Sequence, residues 1–361
     1  MRVLQLIDSL QTGGAERMAV NLANVLAEEI EKSYLCVTRE EGLLKEALDK
    51  DVNYFFLNKT KTLDFNALIR LKKIVKENKI DIIHAHSSSY FFAVLLKLSG
   101  ADIKLVWHDH YGESEFLQNR KYGILRICSN FFSHIFSVNS VLEHWAKKQL
   151  NTNSVSYLSN FALQNESKEI TKLNGKSGKR IIHLANVRPQ KDHINLIYAF
   201  NEVIKKYPEW TLHSVGKNFN DNYSYVVEQK IETLDLKNSV FLYGSKPDIT
   251  NILNQCDIAV LSSKSEGLPI ALLEYGLAKL PVVVTNVGDC KKVVVHNKNG
   301  LIVKPNDSVA LYEAILLLIE DVALASKFKI ELNNKVLKEY SEEVIIKIIV
   351  NKYKTILNDE K

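Results

Sequence analysis

The chain has 361 residues, 46% of them hydrophobic and 25% charged, which suits two domains with separate cores and excludes a disordered chain. Its formal charge of +5 is too small to mark nucleic-acid binding by itself, but it suits phosphate-bearing substrates or an anionic membrane surface. Cys36, Cys128, Cys256 and Cys290 stand far apart with no Cys-x-x-Cys pair, so a zinc ribbon, a thioredoxin-like site and a disulfide framework are not expected.

The apolar run at Met1–Asp8 is too short for a signal peptide, and no 18-residue stretch is free of charge. A cytoplasmic protein follows, with at most a peripheral membrane contact. Val3–Ile7 reads as a buried strand. Glu16–Glu29 follows, with Ala19, Leu22, Ala23 and Leu26 at helical spacing. Tyr34–Thr38, Tyr54–Leu57, Ile80–Ala85, Lys104–Trp107 and Ile135–Val138 read as further strands, separated by amphipathic stretches such as Asn66–Lys76 and Val141–Leu150. Alternation of this kind predicts parallel sheet with helical crossovers.

The pattern breaks at Asn165–Lys179, which is rich in Lys, Ser, Asn and Gly and reads as a surface linker or loop. A second series follows, with strands at Ile181–Ala185, Thr211–Val215, Val240–Tyr243, Ile258–Ser262, Pro281–Asn286 and Leu301–Val303. Helical patterns cover Ile194–Lys206, Tyr223–Leu234, Ile270–Leu280, Val309–Glu320 and Val322–Lys338, with a last one over Glu342–Leu357. The expected domains are therefore 1–165 and 166–340. The helix in 341–361 has no evident place in the second sheet and is expected to return to the first domain.

Four groups of residues carry chemistry. Gln11-Thr12-Gly13-Gly14-Ala15-Glu16-Arg17 follows the first strand and opens a helix. Glycines there admit a ligand close to the backbone and the helix start favours an anion, although a tight strand-to-helix turn explains them equally. The spacing is not that of a dinucleotide fingerprint. Ser265-Glu266-Gly267-Leu268-Pro269-Ile270-Ala271-Leu272-Leu273-Glu274 follows a strand, with Pro269 suited to the first helical turn. Free N–H groups around Gly267 to Ile270 suit a diphosphate, and Glu266 and Glu274 suit sugar and ribose hydroxyls; a surface loop and a helix-face Glu are the plain alternative. Arg188 and Lys191, in Ala185-Asn186-Val187-Arg188-Pro189-Gln190-Lys191-Asp192, either clamp a diphosphate or are simply solvated. His84 and His86 share a strand face, and His108 ends a strand at the carboxyl edge, where ligands bind in open α/β sheets. No established ligand spacing supports a metal there, so none is expected.

Taken together, Gly13-Gly14-Ala15-Glu16, His84-Ala85-His86, His108, Arg188 with Lys191 and the Glu266-x7-Glu274 pair resemble the retaining glycosyltransferases of family 4. The resemblance extends to Asn299-Gly300-Leu301-Ile302-Val303 and to the terminal helix. It implies the GT-B fold, two Rossmann-like domains facing each other across a cleft, and a metal-independent enzyme without cofactor that uses a nucleoside-diphosphate sugar. Glu266 would then hold donor-sugar hydroxyls, Glu274 the ribose, and Arg188 and Lys191 the diphosphate. Gly13 and Gly14 would approach the donor from the other domain. His108 would lie near the reacting sugar, and Glu16 and His86 on the acceptor side. Gly244, in Tyr243-Gly244-Ser245-Lys246, would meet the base through backbone. Same-face attack, with the departing phosphate taking the acceptor proton, would explain retention without a protein nucleophile. One departure stands out: the family often has Gly-Gly-x-x-Glu where this chain has Gly288-Asp289-Cys290-Lys291-Lys292, with Lys292 in place of the acid.

Two other readings remain at this point, a nucleotide-sugar epimerase and an inactive nucleotide-sugar-binding protein. Phosphorylases of similar architecture need a pyridoxal cofactor and a longer chain. The expected acceptor is a glycan or a polyprenyl-linked sugar met at the cytoplasmic membrane face. The motive is the segment 116–132 read as one helix, where Arg120, Lys121 and Arg126 flank Leu117, Ile124, Ile127 and Phe131. An ordinary crossover helix is its plain alternative.

Overall fold

The computed structural model describes residues 1–152, 154–163 and 169–358, and at Glu115 the backbone only. The chain divides into two compact units: Met1–Phe161 with the segment from Glu342 onward, and Ala162–Ser341. Each is built on a parallel sheet.

In the first unit, β1 (Arg2–Ser9), α1 (Gly14–Glu29), β2 (Lys32–Glu40), β3 (Asn53–Phe56), α2 (Phe65–Glu77), β4 (Ile82–His86) and α3 (Tyr90–Leu98) are followed by β5 (Lys104–Asp109), α4 (Gly123–Cys128), β6 (His134–Ser137), α5 (Ser140–Gln149) and β7 (Val155–Tyr157). The strand order is β3-β2-β1-β4-β5-β6-β7, so the winding direction reverses between β1 and β4. One face carries Leu4, Leu6, Ile83, Ala85, Leu105, Trp107 and Ile135 against Leu71, Val75, Phe92 and Leu96 of α2 and α3. Strand residues alternate between faces, so Gln5, His84, His86, His108, His134 and Phe136 lie on the other.

The second unit contains β8 (Arg180–Leu184), α6 (His193–Lys206), β9 (Thr211–Val215), α7 (Asn222–Thr233), β10 (Val240–Leu242), α8 (Ile249–Asn254), β11 (Ile258–Leu261), α9 (Ile270–Leu277), β12 (Val282–Thr285), α10 (Cys290–Val293), β13 (Leu301–Val303), α11 (Ser308–Glu320) and α12 (Val322–Glu339). Its order is β10-β9-β8-β11-β12-β13, reversing between β8 and β11. The last helix, α13 (Glu342–Asn358), packs beside α1 in the first unit and buries Ile345, Ile346, Ile349 and Tyr353.

One sequence reading is sharpened here and another needs correction. Residues 165–168 of the expected linker lie outside the described residues, but 170–174 are bound to the second unit. Asp248 accepts from the amides of Ile170 and Thr171, Gln255 from that of Leu173, and Leu173 is 2% exposed. The segment 116–132 is not one helix. A 3-10 turn over Ser114–Asn119 breaks at Arg120, the six-residue α4 follows, and a second 3-10 turn closes it. Arg120 is not solvated: it donates two 2.7 Å bonds to the buried carboxylate of Asp109 and lies 4.2 Å from the Trp145 ring centre. That ion pair ties the break to the end of β5.

Candidate functional site

The site residues fall into two groups, one in each unit, both at the carboxyl edges of their sheets. In the second unit, β11 ends at Leu261 and the loop through Glu266 leads into α9. Pro269 is the residue before the helix, one position earlier than its sequence context suggests. Glu266 is 5% exposed, which removes the surface-loop reading of this residue. Its Oε1 accepts 2.6 Å bonds from Lys191 Nζ and Ser263 Oγ. Lys191 arrives from the parallel strand: β8 leads through Arg188 into a 3-10 turn, Pro189–Lys191. Asp192, in the left-handed region, then caps α6 by accepting from Asn195. The loop after β8 thus meets the loop after β11 across the reversal point of the sheet, where ligands settle in such folds.

Arg188 is exposed, with its guanidinium 4.5 Å from the Phe219 ring centre. Gly267 and Leu268 are buried in the loop, and Glu274 is half-buried on the second turn of α9. Gly244 has φ +68° and accepts at its carbonyl from the amide of Gly216. In the first turn of α9 the Leu272 amide donates to the Pro269 carbonyl, and the start of the helix is its electropositive end, which suits a diphosphate. The departure at 288–292 has a structural role. Gly288 has φ +50°, and a Cβ there would stand 2.3 Å from the Glu266 carbonyl oxygen. Asp289 donates its amide to the Gly267 carbonyl, and Lys292 pairs with the Asp289 carboxylate at 2.9 Å. The segment buttresses the Glu266 loop from behind, with Lys292 engaged locally. The sequence marks this segment by its departure from the family pattern, but its contact with the Glu266 loop is not legible there.

In the first unit, Gly13 precedes α1 in extended conformation with Glu16 folded over it, and Gly14 is exposed with open space around its α-carbon. His86 and His108 are register partners on β4 and β5, and both are fully buried. With His84 and His110 they form a stack whose neighbouring ring centres are 4.0–5.5 Å apart. His84 Nδ1 shares a 2.6 Å hydrogen bond with the Tyr353 hydroxyl of α13, and His86 Nε2 is 2.8 Å from Gln5 Oε1. His108 has no hydrogen-bond partner at either ring nitrogen. Burial holds all four imidazoles neutral, His84, His86 and His108 far below the ordinary histidine range and His110 down to about 3.

His84, His86 and His108 are also the one group of three such side chains among the described residues whose ligand atoms lie within 4.8 Å of one another. Their rings are stacked within 33° of parallel. Contrary to the expectation that no Asp-x-Asp triplet occurs, the chain has one, Asp49-Lys50-Asp51. It is exposed in the turn entering β3, at the amino edge and away from the carboxyl edge.

Residues 12–159 match the model of Glycosyltransferase Family 4, and residues 164–334 match that of Glycosyl transferases group 1. An Escherichia coli UDP-Gal:alpha-D-GlcNAc-diphosphoundecaprenol alpha-1,3-galactosyltransferase is 24% identical, over 94% of this chain and 95% of that protein. A Campylobacter jejuni GalNAc-alpha-(1->4)-GalNAc-alpha-(1->3)-diNAcBac-PP-undecaprenol alpha-1,4-N-acetyl-D-galactosaminyltransferase is 24% identical over 89% of each. The crystal structure of Anabaena Alr3699/HepE in complex with UDP-glucose superposes with a TM-score of 0.81 at 20% identity, covering 98% of this chain and all of that one.

Proposed function

The chain belongs to the family 4 glycosyltransferases of GT-B fold, and from that premise we propose that it moves a hexose or N-acetylhexosamine from a nucleoside-diphosphate sugar to a polyprenyl-diphosphate-linked glycan, with retention and without a metal. The observation that carries the donor reading is the Lys191–Glu266 pair. A buried carboxylate holds an ammonium at the carboxyl edge of the second sheet, beside the start of α9. An ammonium has three donors. One bond to Glu266 leaves two for phosphate oxygens, and Arg188 adds a second cation on the same loop.

In the proposed step the acceptor oxygen bonds to the anomeric carbon on the face from which the phosphate leaves. The anomeric carbon–oxygen bond breaks, its electron pair goes to the phosphate oxygen, and that oxygen receives the acceptor proton. Lys191, Arg188 and the α9 amides offset the charge that develops on the leaving group. Glu266 fixes Lys191, Glu274 is assigned to the ribose, and Gly244 to the base. His108, Glu16, His86 and the Gly13-Gly14 turn are assigned to the sugar and acceptor side. The acceptor class is supported by the relatives, whose names specify undecaprenol-diphosphate carriers and α linkages. No helix among the described residues is long and apolar enough to cross a membrane, so a peripheral contact is proposed.

The test is a transfer assay on the full chain, with nucleotide sugars offered against polyprenyl-diphosphate sugars, and the product anomer read by NMR. An α-linked product from an α-linked donor is expected. A β-linked product would overturn retention, and transfer to soluble sugars alone would overturn the acceptor class.

A further inference from the structure

The first unit leaves a second apolar face on α2. Ala67, Leu71 and Val75 are buried toward the core. On the outside, Phe65 is 74% exposed, Ile69 one turn later is 66% exposed, and Leu63 in the preceding loop is 56% exposed. Residues four apart lie on one side of a helix, so Phe65 and Ile69 present a joint apolar surface with Leu63 beside it.

Hydrogen bonds hold these residues in place in the absence of burial. Asp64 caps the helix by accepting from Ala67 at 3.0 Å, and it also accepts from Thr60 at 3.1 Å. The Lys59 amide donates to the Thr38 carbonyl, and Arg70 donates to the Leu57 carbonyl. The loop is therefore tied at both ends, and its apolar tip is presented to the outside.

The charge around the tip is mostly positive. Between Lys59 and Glu77 there are six basic residues and two acidic ones. Lys61, Lys72, Lys73 and Lys76 are exposed. Of the two acids, Asp64 is occupied as the cap, and Glu77 lies at the far end beside Lys73. Apolar side chains beside exposed lysines match an anionic bilayer, where the chains enter the interface and the ammonium groups meet headgroup phosphates.

The position fits the same occupant. α2 follows β3, so its first turn stands at the carboxyl edge of the sheet, the edge that also carries the Gly13-Gly14 turn. A bilayer at this tip brings a lipid-borne sugar to the edge where the unit accepts ligands. The segment 116–132 offers a poorer surface. Arg120 is consumed by Asp109, and the remaining Ile124 and Ile127 belong to a six-residue helix.

We propose that the Leu63–Phe65–Ile69 tip of α2, with its surrounding lysines, docks the protein on an anionic lipid bilayer. The inference rests on the reading of a lipid-linked acceptor and deepens it by naming the surface that meets the lipid.

Vesicle co-sedimentation of the full chain tests it, using phosphatidylcholine vesicles and mixed phosphatidylcholine–phosphatidylglycerol vesicles with neither donor nor acceptor present. Binding to the mixed vesicles alone, weakened by salt, is the expected result. Phe65→Ser with Ile69→Ser should abolish it. Lys72→Ser with Lys73→Ser should weaken it roughly twenty-five-fold, since each base near the surface is worth about a factor of five. All these positions are exposed, and circular dichroism confirms that the variants fold. Equal binding to both vesicle types would overturn the proposal. So would loss of binding in Ile124→Ser with Ile127→Ser but not in the α2 variants, or concentration-dependent dimerisation that Phe65→Ser abolishes while no vesicle is bound. Because no transfer is measured, these outcomes are separate from the acceptor assay, which can fail or succeed with detergent-dispersed polyprenyl sugars whatever the vesicles show.

Discussion

Lys191 and Glu266, 75 positions apart, meet through a 2.6 Å bond at the carboxyl edge of the second sheet. Glu266 is buried and Lys191 partly so, which makes Glu266 more than a loop residue free of structural cost. Its replacement by Ala would leave an ammonium without its partner, so the informative change is Glu266→Gln, which keeps shape and hydrogen bonding. Glu266→Gln and Lys191→Met are expected to lower transfer by about a hundredfold or more, the usual effect of losing a preorganised electrostatic contact. Turnover assays with circular dichroism as a folding check decide the matter, and wild-type rates in a folded variant would refute the assignment.

Gly288 lies behind that pair. Gly288→Ala adds a Cβ 2.3 Å from the Glu266 carbonyl oxygen and 2.4 Å from that of Gly267, at a φ of +50°. The loop must shift, and misplacing a binding group by about 1 Å can cost a hundredfold in rate. Donor binding by calorimetry should weaken along with the rate. Unchanged donor affinity would show that the loop does not hold the donor.

Arg120 offers a stability test. Arg120→Ala leaves Asp109, 1% exposed, as an unpaired buried charge, a change that typically costs about 3–5 kcal/mol. Urea denaturation of the two proteins measures it. A solvated surface arginine would show almost no effect.

Eight histidines predict acid lability. His84, His86, His108 and His183 are held neutral by burial, His110 and His134 are pushed down to about 3, and His193 and His213 to about 4. The folded pKa values lie below the unfolded value of about 6.5, so only the unfolded chain takes up protons as the pH falls through 6.5. The stability contributed by these groups is complete above that pH and is lost below it, down to the folded values. Each histidine accounts for about 1.4 kcal/mol per pH unit within that window. The urea midpoint should therefore fall steeply between neutral pH and pH near 5, in both units, and a flat profile would contradict the neutral stack.

Chelation addresses the metal question. The proposed reaction assigns charge compensation to Lys191, Arg188 and helix amides, with no metal. Transfer in the presence of EDTA is expected to continue unchanged. A complete loss restored by a divalent ion would assign a metal to the reaction.

The periodicity of apolar residues was enough to locate most strands, two of them, Thr211–Val215 and Leu301–Val303, to the residue. The reason is that strands of a parallel sheet are buried on both faces and stand out as short apolar runs. β7 was missed because Val155-Ser156-Tyr157 has three residues and a polar centre. The segment 116–132 was misread because helical spacing continues through Arg120, while the break comes from Asp109, eleven residues upstream.

From the order of residues alone came the two α/β units, the glycine turn at the start of α1, the Glu266-x7-Glu274 spacing and the likeness to a glycosyltransferase family, since each depends on neighbours close along the chain. Tertiary structure alone decided that Glu266 is buried against Lys191, that Gly288 supports it from behind, that Tyr353 closes the histidine stack from 269 positions away, and that the outer face of α2 is left apolar. Those facts depend on which strand lies beside which and on what covers each face. Parallel crossovers bring distant segments together at the sheet edges, and periodicity, which records only that a residue is apolar and on which side, does not carry that information.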